Sequence, residues 1–125
     1  MSEIRANTVS DAAGTGPATL TGQYAAKAWV NFNGTGTVAI RDSGNVSSIT
    51  DNGTGVYTTN VTNAMTDSNY APVYQTGNNS SSIIGGRKVN HYNITTTAVT
   101  LLNQNAANAN EDRESITFAA FGDLA

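Results

Sequence analysis

The sequence predicts an all-β protein: an antiparallel, jelly-roll-like β-sandwich of about seven or eight short strands. Two observations lead to this prediction. Short runs of β-branched and aromatic residues recur along the chain, separated at regular spacing by turns rich in Gly and Asn. The tetrapeptide Asn-Gly-Thr-Gly occurs twice, at residues 33–36 and 52–55, each time between apolar runs. No stretch has a convincing helical pattern, and a closed β-barrel is the alternative architecture.

The length of 125 residues predicts one domain with an appended segment. Residues 11–23 are rich in Gly, Ala, Thr and Pro, which is typical of a linker or arm. We therefore expect residues 1–26 to form an extended N-terminal arm that anchors the protein on a neighbouring subunit. Residues 27–125 are expected to form the β-sandwich domain.

The first predicted hairpin covers residues 27–41. Ala28, Val30 and Phe32 alternate with more polar positions, so one face of this strand is expected to be buried. Asn-Gly between β-formers is a strong hairpin signal, because both residues tolerate the positive φ of tight turns. Gly34 and Gly36 are the predicted structural turn residues.

A second predicted hairpin covers residues 46–61 and repeats the same turn. The strand at 46–50 is followed by the turn at 51–55 and a second strand at 56–61. Gly53 and Gly55 are its predicted structural turn residues. Two hairpins in series predict an antiparallel sheet against which the remaining chain packs.

Four further strands are predicted in the second half of the chain. The strand at 70–76 contains Pro72, which cannot donate a ladder hydrogen bond, so this strand is expected to lie at a sheet edge or to be bulged. Further strands are predicted within 83–93, at 94–102 and at 115–121. The last strand is apolar on both faces, which indicates one face in the core and the other in an interface.

Composition excludes several functions. Only 12% of the residues are charged and the formal net charge is −3, with Arg87-Lys88 as the only adjacent basic pair. Nucleic-acid binding, which needs clustered cations, is therefore not expected. There is no cysteine, so for a protein outside the cell oligomerisation is the expected substitute for disulfides. No apolar run approaches the ~18 residues of a membrane span, so membrane insertion is not expected.

No catalytic, metal or cofactor site is predicted. His91 is the only histidine, and no Gly-x-Ser-x-Gly motif is present. The carboxylates of Glu111, Asp112 and Glu114 lie in a polar loop, so polysaccharide hydrolysis is only a minor alternative to a protein that is not an enzyme. The acidic turns lack the twelve-residue calcium-loop pattern.

Carbohydrate binding is harder to dismiss than catalysis or metal binding. Aromatic faces stack on sugars, and Asn and Thr supply hydrogen bonds. Trp29 is more often a core or interface residue than a sugar platform. Tyr74, His91 and Tyr92 are the candidate contacts to a host or its glycan.

Part of the sequence resembles a known family. The motifs Gly14-Thr-Gly-Pro17 and Leu20-Thr-Gly-Gln23, followed by residues 26–41 and 45–55, are similar to a module of tail-fibre-like proteins in marine and other tailed bacteriophages. The resemblance covers roughly the first half of the chain and fades after about Tyr70. It implies a non-enzymatic protein at the virion surface.

These expectations combine into one functional prediction. The chain is expected to belong to the tail fibre or adhesion apparatus, as a homo-oligomer, most simply a trimer, in contact with other virion proteins. The loops at 77–92 and 103–114 are expected to face the host and its surface glycans. A capsid decoration protein, a cement or head-fibre protein that stabilises the shell, is the alternative.

Overall fold

The computed structural model describes Ala13, residues 25–78 and residues 86–125. Within this part of the chain the protein contains eight β-strands and no helix. The predicted arm, residues 1–26, lies outside the described residues except for Ala13, Ala25 and Ala26. The strands are β1 (Ala28–Asn33), β2 (Ala39–Gly44), β3 (Val46–Asp51), β4 (Val56–Val61), β5 (Ala71–Gly77), β6 (Lys88–Tyr92), β7 (Ala98–Gln104) and β8 (Ser115–Phe121).

The strands form two four-stranded sheets, which confirms the predicted antiparallel sandwich. Sheet one has the order β2-β1-β8-β5, and sheet two has the order β3-β4-β7-β6. Both predicted hairpins are confirmed, because β1 pairs with β2 and β3 pairs with β4. The strand that contains Pro72 is β5, and it lies at the edge of sheet one as predicted.

The core lies between the two sheets, because alternate residues along the strands point inward. Ala28, Val30 and Phe32 of β1 are buried, whereas the residues between them face outward. The rings of Phe32 and Tyr57 meet edge to face across the core, with centroids 5.3 Å apart. The other buried hydrophobic side chains are Met65, Tyr70, Val99, Leu101, Ile116, Phe118 and Ala120.

The prediction of a strand from residue 94 is wrong at its start. The strand β7 begins at Ala98, and residues 94–97 form a turn. The Thr95 hydroxyl accepts hydrogen bonds from the backbone N–H groups of Thr97 and Ala98, at 3.3 and 3.0 Å. A Thr side chain that binds nearby backbone in this way competes with the strand ladder.

The strand predicted within 83–93 is found as β6, although residues 83–85 lie outside the described residues. The antiparallel strands give the sandwich two poles. The upper pole carries the connections that follow β1, β3, β5 and β7, and the lower pole carries the entry to β1 and the connections that follow β2, β4 and β6. The C-terminus is also at the lower pole, where the Ala125 N–H donates to the Ala64 carbonyl.

Asn45 joins the lower-pole segments. It has a positive φ of 55° and lies where the chain passes from β2 in sheet one to β3 in sheet two. Its side-chain amide donates to the carbonyls of Lys27 and Asn63 at 2.9 and 3.1 Å. Its side-chain oxygen accepts the Asn63 N–H at 2.7 Å. One Asn therefore fixes the entry to β1 against the segment that leaves β4.

Three of the four turn glycines have the expected backbone. Gly36, Gly53 and Gly55 have positive φ values of 63°, 117° and 70°. Gly34 has no positive φ and is buried instead. Its lack of a side chain serves close packing, and the Asn33 side chain holds the first turn through hydrogen bonds to Thr35.

Candidate binding surfaces

The structure separates the three predicted contact residues. The rings of Tyr74 on β5 and His91 on β6 lie 5.6 Å apart at the open edge of the sandwich. His91 pairs with the buried Leu101, so it points toward the other sheet. Tyr92, the next residue, points to the opposite side of β6. Tyr74 and His91 therefore share a surface, and Tyr92 belongs to another.

Tyr74 is largely used by the fold. Its ring stacks on Phe118 with centroids 5.4 Å apart, in addition to its contact with His91. Burial, followed by the nearby Tyr70, raises the pKa of the Tyr74 hydroxyl. Two ring contacts and a half-buried position leave little of the Tyr74 side chain for a ligand. Of this pair, His91 is therefore the residue that is available for the predicted contact.

Tyr92 lies at the end of a polar row that crosses all four strands of sheet two. The register places Thr50 beside Thr58, Thr58 beside Thr100 and Thr100 beside Tyr92. Tyr92 is 44% exposed. We call this outward surface the polar face, and its members are Ser48, Thr50, Thr58, Asn60, Tyr92 and Thr100.

Hydrogen bonds connect the strands along the polar face. The hydroxyls of Thr58 and Thr100 lie 2.8 Å apart. The Asn60 amide donates to the hydroxyls of Ser48 and Thr50, both at 3.0 Å. Cross-strand pairs of this kind stabilise a sheet and hold the side chains in fixed rotamers. The polar face is therefore an ordered array of hydroxyl and amide groups.

The outward surface of sheet one is apolar in its lower half. Trp29 on β1 lies beside Ala119 on β8, which lies beside Val73 on β5. Trp29 is 41% exposed and Val73 is 51% exposed. We call this surface the apolar face, and its members are Trp29, Ala71, Val73, Ala119 and Phe121. The prediction that Trp29 lies in the core is wrong, and its interface alternative stays a prediction.

Gly44 explains how Trp29 lies on the sheet. The two residues are cross-strand partners, and a Cβ at Gly44 would come within 2.4 Å of the indole nitrogen. The indole therefore packs directly over the β2 backbone. Beside it on the same sheet, a depression of about 220 Å³ lies along β5 and β8, where Val73, Gln75, Thr117 and Ala119 face outward.

At the upper pole, a buried hydroxyl joins the two hairpin turns. The Tyr57 hydroxyl oxygen lies 2.7 Å from the Gly34 carbonyl oxygen and 2.6 Å from Asp112 Oδ1. The same carboxylate oxygen accepts the Gly55 N–H at 2.7 Å. Burial, then the hydrogen bond and negative charge of Asp112, raise the pKa of Tyr57. Sequence reasoning missed this contact, because its partners are far apart in the chain.

The neighbouring carboxylate is also engaged. Glu111 Oε2 lies against the guanidinium groups of both Arg87 and Arg113. Arg113 is buried, and its Nη1 also donates to Asn78 Oδ1 at 3.3 Å. In the loop at 103–114, the carboxylates of Glu111 and Asp112 are thus held in structural contacts. The expectation of a non-enzymatic protein stays a prediction.

Two other kinds of site are absent from the described residues. Among Ala13, residues 25–78 and residues 86–125, no group of three or more His, Cys, Asp or Glu side chains could hold a metal ion. Over the same residues, the structure has no helix that is long and apolar enough to cross a membrane.

Comparisons with known proteins found no relatives. No protein-family model, no curated protein and no solved structure matches this chain. The functional interpretation therefore depends on the sequence resemblance and on the chemistry of the surfaces described above.

Proposed function

We propose that this chain is a structural protein of a bacteriophage virion, in the tail fibre or adhesion apparatus that attaches the particle to its host. The observation that carries the proposal is the separation of the two poles. The chain enters the sandwich at the lower pole, just before β1, and the connections after β5 and β7 end at the upper pole. A protein anchored through residues 1–26 would present those loops away from the anchor.

The sequence supports the proposal independently. Residues 14–55 resemble the phage tail-fibre-like module, and the described part of this stretch forms β1, β2, β3 and the turns between them. The surface is rich in neutral Asn and Thr, and charged residues make up only 12% of the chain. Attachment would then depend on many weak polar contacts from repeated copies, which combine into high avidity.

The apolar face is the surface that we assign to contacts between copies of this chain. It combines an exposed aromatic side chain, Trp29, with the depression along β5 and β8 on the same sheet. An exposed apolar surface of this kind can pair with the same surface of a second copy. Exposed Trp and Phe side chains are enriched at such interfaces. This assignment supports the predicted homo-oligomer.

Sedimentation of the purified chain tests the assignment. We expect the wild-type protein to sediment as an oligomer and the Trp29→Ser and Val73→Asp variants to sediment as monomers with unchanged circular dichroism. Tyr92→Ser, on the opposite sheet, is the matched control and should leave the oligomer intact. A monomeric wild-type protein at micromolar concentration would contradict the assignment.

Capsid decoration is the second candidate, and the apolar face also favours it. Trp29, Val73 and Phe121 are exposed hydrophobic side chains on one sheet. In this alternative, the apolar face would lie on capsid subunits and stabilise the shell, and the N-terminal arm would extend over neighbouring subunits.

Electron cryomicroscopy of intact virions, labelled with an antibody against this chain, tests the function itself. Label at the tail tip would support the adhesion proposal. Label distributed over the head would favour decoration, and particles that lack the protein should then open at a lower temperature than wild-type particles. If intact virions bind no antibody at either place, both candidates are overturned.

A further inference from the structure

We propose that the polar face of sheet two binds a neutral, extended polysaccharide, with the ring of Tyr92 as its stacking platform. This inference rests on the proposed function, because it names the ligand and the surface through which attachment would occur. It places the contact on the side of the sandwich, on strands, and not only in the upper-pole loops.

The register of sheet two supplies the geometry. Thr50, Thr58, Thr100 and Tyr92 lie side by side on β3, β4, β7 and β6. Neighbouring strands are ~4.8 Å apart, so the row spans about 14 Å across the sheet. The aromatic ring stands at one end of this row and is 44% exposed. Thr100, beside the ring, is buried, so an extended sugar chain would contact the ring at one end of the row and the exposed Thr50 at the other.

The hydrogen bonds of the polar face leave groups available for a ligand. The hydroxyls of Ser48 and Thr50 accept from the Asn60 amide, so each still has its own O–H to donate. The bonds also fix these side chains before any ligand arrives. Binding would then lose little rotamer entropy, and this loss is one of the main costs of recognition by polar side chains.

Charge selects the class of ligand. The row of Tyr92 contains only Thr and Tyr, and the next row toward the lower pole contains Ser48, Asn60 and Ala98. The outward cation of β6, Lys88, lies four residues from Tyr92 and donates to Asn108. An anionic polymer would need clustered cations here. The cores of protein interfaces are enriched in aromatic residues, Met and Arg, whereas Tyr92 is the one aromatic member of the polar face. A neutral, hydroxyl-rich chain fits both observations.

Binding of the purified full-length chain to an array of bacterial surface polysaccharides tests the proposal. The array contains neutral and acidic polymers, and affinity electrophoresis in gels that contain the retained polymers measures the strength of binding. We expect retention on at least one neutral polymer. Tyr92→Ala should weaken it by about fivefold or more, because the stacking contact is lost in every copy and repeated copies multiply the effect.

A second variant keeps the test valid if Tyr92→Ala perturbs the edge strand. Thr50→Val removes one hydroxyl with little change in shape, and it should weaken retention while the melting temperature stays near that of the wild type. Thr62→Val, the same change at an exposed position that follows β4 and lies outside both faces, is the matched control and should leave retention unchanged.

Three results would overturn the proposal: no retention on any polymer, retention only on acidic polymers, or equal retention of Tyr92→Ala, Thr50→Val and wild type. These outcomes are separate from those of the virion labelling. Label at the tail tip together with no retention would leave the adhesion function intact and remove the polar face as its binding site. A change of oligomeric state in Tyr92→Ala would assign the face to contacts between copies instead.

Discussion

The tetrapeptide Asn-Gly-Thr-Gly occurs in two hairpin turns of this protein, and a different glycine of the tetrapeptide is buried in each turn. In the first turn Gly34 is buried and Gly36 is exposed, whereas in the second turn Gly53 is exposed and Gly55 is buried. Identical local sequences therefore take different environments. The difference shows that the tertiary neighbours of each turn, and not the turn sequence, decide which glycine is required.

The neighbours of the two buried glycines differ in kind. A Cβ added at Gly34 would come within 2.7 Å of both Ile116 Cδ1 and the Tyr57 hydroxyl oxygen, which are side-chain atoms. A Cβ added at Gly55 would come within 2.6 Å of the Asn103 carbonyl oxygen and 2.7 Å of the Glu111 nitrogen, which are backbone atoms. Side chains can move aside more easily than a strand and its neighbouring loop.

Gly55→Ala should have the largest effect. A side chain at its φ of 70° is strained, and the backbone of Asn103 blocks the new methyl group. Strain and overpacking together should lower the free energy of unfolding by about 2–5 kcal/mol. Gly36→Ala is the matched control, because its φ is 63° and nothing lies within 4 Å of the added Cβ.

Urea unfolding measures both variants. The control should lose only the strain contribution, about 1–2 kcal/mol. Equal losses for Gly55→Ala and Gly36→Ala would mean that the close backbone approach at Gly55 is not a determinant of stability.

Gly34→Ala should have the next largest effect, about 1–3 kcal/mol from overpacking alone. Its backbone is not in the left-handed region, so no strain is added. The clash with Ile116 Cδ1 can be relieved by Ile116→Val, which removes that atom. In a double-mutant cycle, we expect the double variant to lose less free energy of unfolding than the two single variants lose in sum. Strict additivity would contradict the contact.

The sequence predicts the local part of this architecture well. Both hairpins follow from Asn-Gly between β-formers, and the edge position of β5 follows from Pro72. The predicted start of β7 is wrong because the Thr95 hydroxyl accepts a hydrogen bond from the backbone N–H of Ala98. This bond competes with the strand ladder, and residue composition does not reveal it. Local rules therefore predict strands and turns, but they do not predict where a side chain replaces a ladder hydrogen bond at the end of a strand.

The surfaces were less predictable, since they depend on register between distant strands. Tyr74, His91 and Tyr92 are close in sequence or type, but alternation along β6 separates His91 from Tyr92. The row from Thr50 to Tyr92 needs three strand pairings, none of which short-range patterns specify. The same is true of Asp112, which lies 55 residues from its partner Tyr57.

Tyr57→Phe should uncouple the two turns at a smaller cost. It removes the hydroxyl between the Gly34 carbonyl and Asp112 Oδ1 and leaves that buried carbonyl without this partner. We expect a loss of about 1–2 kcal/mol at neutral pH. Gly55 should be unaffected, because its N–H donates directly to Asp112. A loss near zero would show that the hydroxyl does not connect the turns.

The alkaline pH dependence gives Tyr57→Phe a second readout. The pKa of Tyr57 is raised above its ordinary value of 10.0, so the folded protein keeps this proton after the unfolded chain has released it. The contribution to stability is therefore complete below pH 10 and decreases above it, by up to about 1.4 kcal/mol per pH unit. The variant should show a shallower decrease than the wild type. Tyr74, whose pKa is also raised, is present in both proteins and cancels.

The smallest expected effect is chemical, and it compares the two Asn-Gly pairs directly. Deamidation begins when the nitrogen after an Asn attacks the side-chain Cγ and expels ammonia, and water then opens the cyclic imide. The Asn33 side chain is held by the Thr35 carbonyl, N–H and hydroxyl at 2.8, 3.2 and 2.9 Å. Asn52 is exposed, and its side-chain amide donates to the Thr58 hydroxyl at 2.8 Å and to the Thr50 carbonyl at 3.4 Å. Among the described residues its side-chain oxygen accepts no hydrogen bond, whereas the Asn33 oxygen accepts two from Thr35.

We expect Asn52 to deamidate faster than Asn33 when the folded protein is incubated at mildly alkaline pH and its peptides are analysed by mass spectrometry. Protein unfolded in urea is the control, because both sites then have the same local sequence and should react at similar rates. Asn52→Gln should abolish the modification at the second turn and leave the first unchanged. Equal rates in the folded protein would mean that the hydrogen bonds of Asn33 do not protect it, and that the two turns differ in packing but not in local rigidity.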